Sequence, residues 1–415
     1  MGHVSILIIV AAFLIYGLVS RRLQSTVLTG PMLFTGFGLL VGPAALDLIP
    51  IEITSSTIHI LAEITLILVL FSDAASIDLR QLRRDHDLPS RMLLIGMPIT
   101  LVFTGITALL CFTEFSLWEA LLLGAILTPT DAALGQAVIS NPSVPIRIRQ
   151  ALNVESGLND GIALPVVLVL ATFASAQAAG PPVAYLTDAA VQLIVAPLVG
   201  IAVGYAGGRL VDTCYRTQWM SETAEGIIAL AIAFLAYELA IVLHGNGFIA
   251  AFVAGLAFGN TLGKKCKFLF EFAEAEGQLL ILSTFMAFGG VMIPIALADA
   301  DVMYVIFAVL CLTVLRMGPV AISLLGKGIK PLTSAYLGWF GPRGLASILF
   351  VLLITEQSEI PHKQEILVAT IITVMLSILL HGLSAGPAAR RYGAAAQKMG
   401  ESAENRPVSA QPFSD

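Results

Sequence analysis

The 415-residue chain is 57% hydrophobic and only 12% charged, with a formal net charge of −6. Soluble domains carry about 25% charged residues, so half the charge that would keep such a surface in water is missing. A water-soluble domain is excluded, no nucleic-acid partner is expected, and the composition is that of an all-α polytopic membrane protein. Four cysteines (Cys111, Cys214, Cys266, Cys311), two read within apolar spans and two in cytoplasmic loops, are scattered without a CxxC or a neighbouring His, which argues against a disulfide framework or a zinc site; no cofactor is expected.

The N-terminal run MGHVSILIIVAAFLIYGLVSRR has no basic residue before its apolar stretch and no small-x-small cleavage site after it. Arg21 and Arg22 follow it instead, which predicts a retained span with the N-terminus outside. Further apolar windows of near-spanning length begin near residues 27, 58, 91, 116, 151, 185, 223, 246, 277, 301, 332 and 364, for thirteen spans in all. Only His244-Gly245 divides the eighth from the ninth. Lys and Arg lie in the odd-numbered loops and the C-terminal stretch; the exceptions are Lys363, in an even loop, and Arg316 and Arg343, within spans. This alternation follows the positive-inside rule and places the C-terminus in the cytoplasm. Six spans on either side of a seventh suit two inverted six-helix repeats.

Taken in chain order, the acids at membrane depth begin with Glu63 and Asp73 in the third span, both read as interfacial, as is Glu238 in the eighth. The fifth span carries LTPTDAALG (127–135), where Pro129 removes a backbone donor and should break the helix, freeing the Thr128 and Thr130 carbonyls. Asp131 then falls at the start of a second half-helix, at the positive end of its dipole. In the sixth span, LNVESGLNDG (152–161) sets Glu155 with Asn159, and Ser156 with Asp160, each four residues apart. These form adjacent helical stripes, one of which offers a hydroxyl and a carboxylate to Na⁺, Li⁺ or H⁺. The seventh span has Gly200, Gly204 and Gly208 at small-xxx-small spacing, read as intramolecular packing. The twelfth span is interrupted at Gly341-Pro342-Arg343-Gly344. Broken helices at corresponding places in two halves point to a transporter's midplane site. Residues 391–415 are rich in Ala, Ser, Gln, Glu and Pro and read as a short disordered cytoplasmic tail.

With TPTDAALG (128–135), ESGLNDG (155–161), GFIAAFVAGLAFGN (247–260), Leu315-Arg316, GPRGLASI (341–348) and the weaker LFSDAASIDLRQLRR (70–84), the chain resembles the cation/proton antiporter superfamily, in its NhaP-type branch. The resemblance implies helices 5 and 12 crossing at the midplane of a core formed by about 91–176 and 301–386. It also implies a dimerisation scaffold of about 1–75 and 185–297 and a homodimer, within one transmembrane unit (1–390); the compact build leads to the expectation of a cell (inner) membrane. On the same basis Asp160 is the shared ion and proton carrier, with Ser156, the Thr130 carbonyl and Asp131 completing the coordination. Asn159 stands where electrogenic relatives have a second acid, Glu155 pairs with Arg316, and Arg343 offsets the partial charges of broken helix 12. Ser72 follows Phe71 where many relatives carry an acid, and the acid here is Asp73.

The expected activity is exchange of Na⁺ or Li⁺ for H⁺ by alternating access. A desolvated carboxylate holds a proton or a cation but not both, so each ion displaces the other. With Glu155 paired and Asn159 unable to titrate, exchange is expected to be electroneutral, one for one. A K⁺/H⁺ antiporter is the alternative within the same fold. A channel would want a filter loop or a ring of acids, and none is present. An intramembrane aspartyl enzyme pairing Asp131 with Asp160 is the alternative outside transport; the six His (3, 59, 86, 244, 362, 381) are placed at loops or span ends, away from a serine nucleophile. The Gly326-Lys327-Gly328 turn lacks Walker spacing, so ATP is not implied.

Overall fold

A computed structural model gives the fold and describes residues 3–23, 26–49, 56–179, 182–263, 267–357 and 360–406. Among the described residues every regular element is helical. Thirteen apolar segments follow one another in the order that hydropathy predicts. They are His3–Leu23, Gly30–Val41, Ser56–Ala75, Asp87–Cys111, the pair Leu117–Ile126 and Ala132–Ile139, Ile146–Ala179, Pro182–Arg216, Glu222–Val242, Gly247–Leu262, Lys267–Ala287 running on to Asp299, Val302–Ser323, the pair Pro331–Trp339 and Leu345–Gln357, and Lys363–Gln397. The fifth and twelfth are each in two halves joined by several non-helical residues, and the eleventh is interrupted at Thr313, between Val302–Leu312 and Val314–Ser323.

Not every segment is a full crossing. Among the described residues seven are long and apolar enough in one piece to cross a membrane, whereas Gly30–Val41 has 12 residues. At 1.5 Å per residue it covers about 18 Å of a roughly 30 Å hydrocarbon layer. Local chemistry sets its ends: Thr29 caps the start by accepting from Met32 N, Pro31 occupies the first turn, and the chain turns extended at Gly42. The fourth and tenth segments each widen into a π-helical turn, Met92–Gly96 and Phe288–Met292, just before Pro98 and Pro294. A proline removes one donor from the ladder, and a local π turn re-accommodates the carbonyl left behind.

The ninth segment is wedged between the seventh and the third. A Cβ on Gly200 or Gly204 would run into the backbone of Ala250 or Ala254, and one on Gly208 into Thr261. On its other side Gly255 and Gly259 rest on the Phe71 and Ala75 carbonyls. The small residues of GFIAAFVAGLAFGN therefore permit two close helix contacts, and the seventh-span glycines pack within the chain as expected. The main hydrophobic core joins the third, sixth, ninth, twelfth and thirteenth spans. A second cluster, with Leu88, Met92, Val138, Ile148, Leu337 and Tyr392, lies among the fourth, fifth, sixth, twelfth and thirteenth.

Three local expectations change. The thirteenth helix runs through Gln397, and Ala403–Asn405 forms a short 3₁₀ turn, so residues 391–406 are structured where composition suggested a disordered tail. Glu404, fully buried, accepts from Lys330 N at 2.7 Å and Thr333 Oγ1 at 3.1 Å, and that anchor is what composition does not reveal. Residues 407–415 lie outside the described residues. His381, expected at a span end, is 1% exposed within the thirteenth helix. Cys111, Cys214 and Cys311 are free thiols, Cys214 on the seventh helix rather than in a loop, and Cys266 lies outside the described residues.

Candidate functional site

The first half of the fifth span starts on a capping box between Ser116 and Glu119 and stops at Leu127. Pro129 cannot donate to the ladder, and residues 128–130 run without helical structure. Asp131 then takes the N-cap of Ala132–Ile139, its Oδ1 accepting from Ala133 N at 2.7 Å and Leu134 N at 3.2 Å. Its Oδ2 accepts from Leu345 N at 2.7 Å, the first residue of the second half of the twelfth span. One carboxylate thus caps two half-helices whose positive ends converge on it.

The two breaks close each other. Asp131 N donates to Pro342 O at 2.8 Å, and Ser347 Oγ donates to Ile126 O at 2.7 Å. Arg343 Nη1 donates to the Thr128 and Pro129 carbonyls at 2.7 and 3.1 Å. The Thr128 carbonyl, expected to be free, is therefore occupied. Arg343, expected to act on the twelfth helix, instead neutralises the carbonyl end of the fifth. The glycines of GPRG have specific reasons: a Cβ on Gly344 would overlap the Asp131 carboxylate, and one on Gly341 the Arg316 guanidinium.

The sixth span faces this crossing. Asn159 Nδ2 donates to Thr130 Oγ1 at 2.6 Å, and Thr130 Oγ1 lies 3.0 Å from Ser156 Oγ. The break in the fifth span is thus tied to both helical stripes of the sixth. Glu155 and Arg316 form an ion pair at 2.5 Å, each side chain 2% exposed. Gly161 keeps the helix close to the ninth span, where a Cβ would strike the Phe252 ring.

Asp131, Glu155, Asp160, Arg316 and Arg343 are all buried here. Placing such charges at membrane depth is costly unless each is matched. Asp131 is matched by two helix N-termini, Glu155 and Arg316 by each other, and Arg343 by carbonyl dipoles. Asp160 is the exception. Among the described residues it has no ion-pair partner, and its Oδ1 is buried without a hydrogen bond, as is Asn159 Oδ1 one residue before it. The arrangement can bind a small hard cation or a proton at Asp160, with hydroxyl and amide oxygens close by.

All eight residues singled out from the sequence gather at this crossing. Asp131, though, has both oxygens engaged by backbone amides rather than left for coordination. Ser347, Ser377 and His381 were not singled out, and each bonds the backbone at or beside a break. For Ser377 and His381 the available signal was a polar pair four residues apart in an otherwise apolar run.

Comparison with known proteins gives these residues a context. A family model described as sodium/hydrogen exchanger, transmembrane, matches residues 8–391. The chain is 24% identical over 395 residues to the K(+)/H(+) antiporter NhaP of Alkalimonas amylolytica, covering 94% of this chain and 67% of that protein. It is 25% identical over 296 residues to the K(+)/H(+) antiporter NhaP2 of Shewanella sp. ANA-3, covering 71% of this chain and 51% of that protein. The chain thus spans between half and two thirds of the length of these curated relatives. The fold superposes on the sodium proton antiporter MjNhaP1 of Methanocaldococcus jannaschii with a TM-score of 0.75 at 20% identity, over 91% of this chain and 98% of that one. With nearly its whole length matched, broken helices included, the chain belongs to the sodium/hydrogen exchanger transmembrane family.

Proposed function

We propose that the chain is a secondary antiporter exchanging a monovalent cation, Na⁺ or Li⁺, for H⁺, with Asp160 carrying both ions in turn. The observation that supports this most directly is Asp160, a buried carboxylate that among the described residues has no ion-pair partner and whose Oδ1 has no hydrogen bond. Such a group is stabilised by a proton or by a cation, and occupancy by one excludes the other. Ser156, Thr130 and Asn159 would supply neutral oxygens around the cation, and Asp131 would hold the two half-helices in register. Glu155 is tied to Arg316 and Asn159 does not titrate, so one proton leaves for each cation and transport is electroneutral. The membrane potential, worth about 2.3 kcal/mol per charge at 100 mV, then adds no driving force. The structural neighbour is named a sodium proton antiporter, whereas the curated relatives are named for K⁺, so K⁺/H⁺ exchange is the second reading. An intramembrane aspartyl enzyme is set aside: the family is one of exchangers, and Asp131, the second acid such chemistry needs, is spent on capping two helices.

The rest of the reading follows the same line. The core of about 91–176 and 301–386 would shift against a scaffold of about 1–75 and 185–297 that dimerises. The protein would sit in a cell membrane with its N-terminus outside and its C-terminus in the cytoplasm, as the loop charges suggest. The test uses proteoliposomes holding a pH-sensitive dye, pulsed with Na⁺, Li⁺ or K⁺. Wild type should move protons on adding a cation and Asp160→Asn should not. Equal responses in the two would remove Asp160 from the mechanism, and acceleration by an imposed potential would refute the one-for-one stoichiometry.

A further inference from the structure

The break in the twelfth span leaves backbone groups that no helix satisfies, and two side chains of the thirteenth span meet them. Ser377 and His381 stand one turn apart on Lys363–Gln397, 0% and 1% exposed. Arg343 N donates to Ser377 Oγ at 2.7 Å, and His381 Nε2 lies 2.9 Å from Trp339 O. His381 Nδ1 lies 3.0 Å from the Ser377 carbonyl of its own helix and 3.1 Å from Ser377 Oγ; in the tautomer with the proton on Nε2, the ring donates to the Trp339 carbonyl and Nδ1 accepts from the Ser377 hydroxyl. The relay runs from the Arg343 amide through Ser377 and His381 to the Trp339 carbonyl. It spans the break from the last residue of the first half-helix to the arginine whose side chain holds the fifth span. The Trp339 indole donates to Ser384 Oγ at 2.9 Å and its ring lies over the imidazole, centroids 4.9 Å apart, which fixes the ring as well as the backbone. A hydroxyl and an imidazole inside a buried helix are costly unless matched, and here the match is with the broken helix.

We propose that Ser377 and His381 are positioning residues for the cation site. By fixing the backbone at Trp339 and Arg343 they set the Arg343 guanidinium on the Thr128 and Pro129 carbonyls, and through these the Thr130–Asp131 strip beside Asp160. The proposal rests on the reading of Asp160 as the cation carrier. The experiment therefore measures cation binding rather than transport. The full chain, solubilised in detergent, is titrated with NaCl, LiCl or KCl, and its thermal midpoint reports an apparent affinity. Ser377→Ala and His381→Leu are expected to weaken that affinity about tenfold, the scale of one buried hydrogen bond. His381→Gln, which can donate to the carbonyl and accept from the hydroxyl, should restore most of it. Amide exchange of the peptide covering 339–347 should be faster in Ser377→Ala than in wild type.

Variants that bind as wild type does would overturn the proposal, and so would equal losses in His381→Leu and His381→Gln, which would mark a packing role. Should His381→Leu fail to fold, Ser377→Ala decides alone, since it removes one oxygen. A wild type indifferent to all three cations would instead sink the reading of Asp160, and the positioning role with it.

Discussion

The Glu155–Arg316 pair offers the sharpest quantitative test of how charge is arranged at the crossing. Both side chains are 2% exposed and their charged atoms are 2.5 Å apart. Arg316→Met keeps most of the volume and leaves the Glu155 carboxylate buried alone; Glu155→Gln does the converse. Removing one partner of a buried pair costs about 3–5 kcal/mol. Each kilocalorie lowers the midpoint of a large chain by about 2 °C, so each single variant should melt roughly 6–10 °C below wild type. The double variant strands no charge and should recover more than half of the summed loss. The assay is a double-mutant cycle of thermal midpoints in detergent, with proteoliposome exchange as a second readout. The double variant should still exchange ions, because Asp160 is untouched. If the two losses simply add, the residues do not act as a pair, and the assignment of Asp160 as the one uncompensated acid loses its basis.

Two further outcomes follow from named contacts. Asp131→Asn keeps an oxygen for Ala133 N and Leu134 N but offers an amide where Leu345 N needs an acceptor, so it should cost about 1–3 kcal/mol. A lower thermal midpoint with unchanged cation affinity would identify Asp131 as a cap, whereas lost affinity at an unchanged midpoint would make it a ligand. At Glu404 burial pushes the carboxyl up, but hydrogen bonds from the Lys330 amide and the Thr333 hydroxyl outweigh it and hold the group below the usual carboxylate range. A lowered value in the folded state means the docking is fully stabilised above the unfolded value near pH 4.5 and is lost as pH falls through the folded one. Limited proteolysis should accordingly leave the segment around Glu404 protected at pH 7 and open it only at acid pH, below the unfolded value; Glu404→Ala should open it at both. Protection of the variant at pH 7 would refute the anchor.

Buried charge at this crossing is matched in three different ways, and the differences have functional weight. An ion pair, two helix termini and a carbonyl cradle each set an opposite charge or dipole from within the protein against the buried group. Among the described residues Asp160 has no such match, and in the proposed function it is completed by the ion it carries.

Some of this was legible without coordinates. Apolar windows and loop charges determine thirteen helical segments and their order, because a bilayer core admits backbone only when its polar groups are satisfied within the segment. Pro129 and Pro342 announce the two breaks, because a proline withholds its donor wherever the chain goes. The acids and arginines stand out because each is costly where it sits. What the linear order could not decide is which group neutralises which. Arg343 serves the fifth span rather than its own, Asp131 caps a helix more than two hundred residues further along, and Ser377 and His381 bridge a break in a different span. Glu404 likewise orders a stretch whose composition looks disordered. Hydropathy and backbone chemistry act within a segment and can be read there. Hydrogen bonds and ion pairs depend on distances between segments, and only the folded packing of the helices sets those.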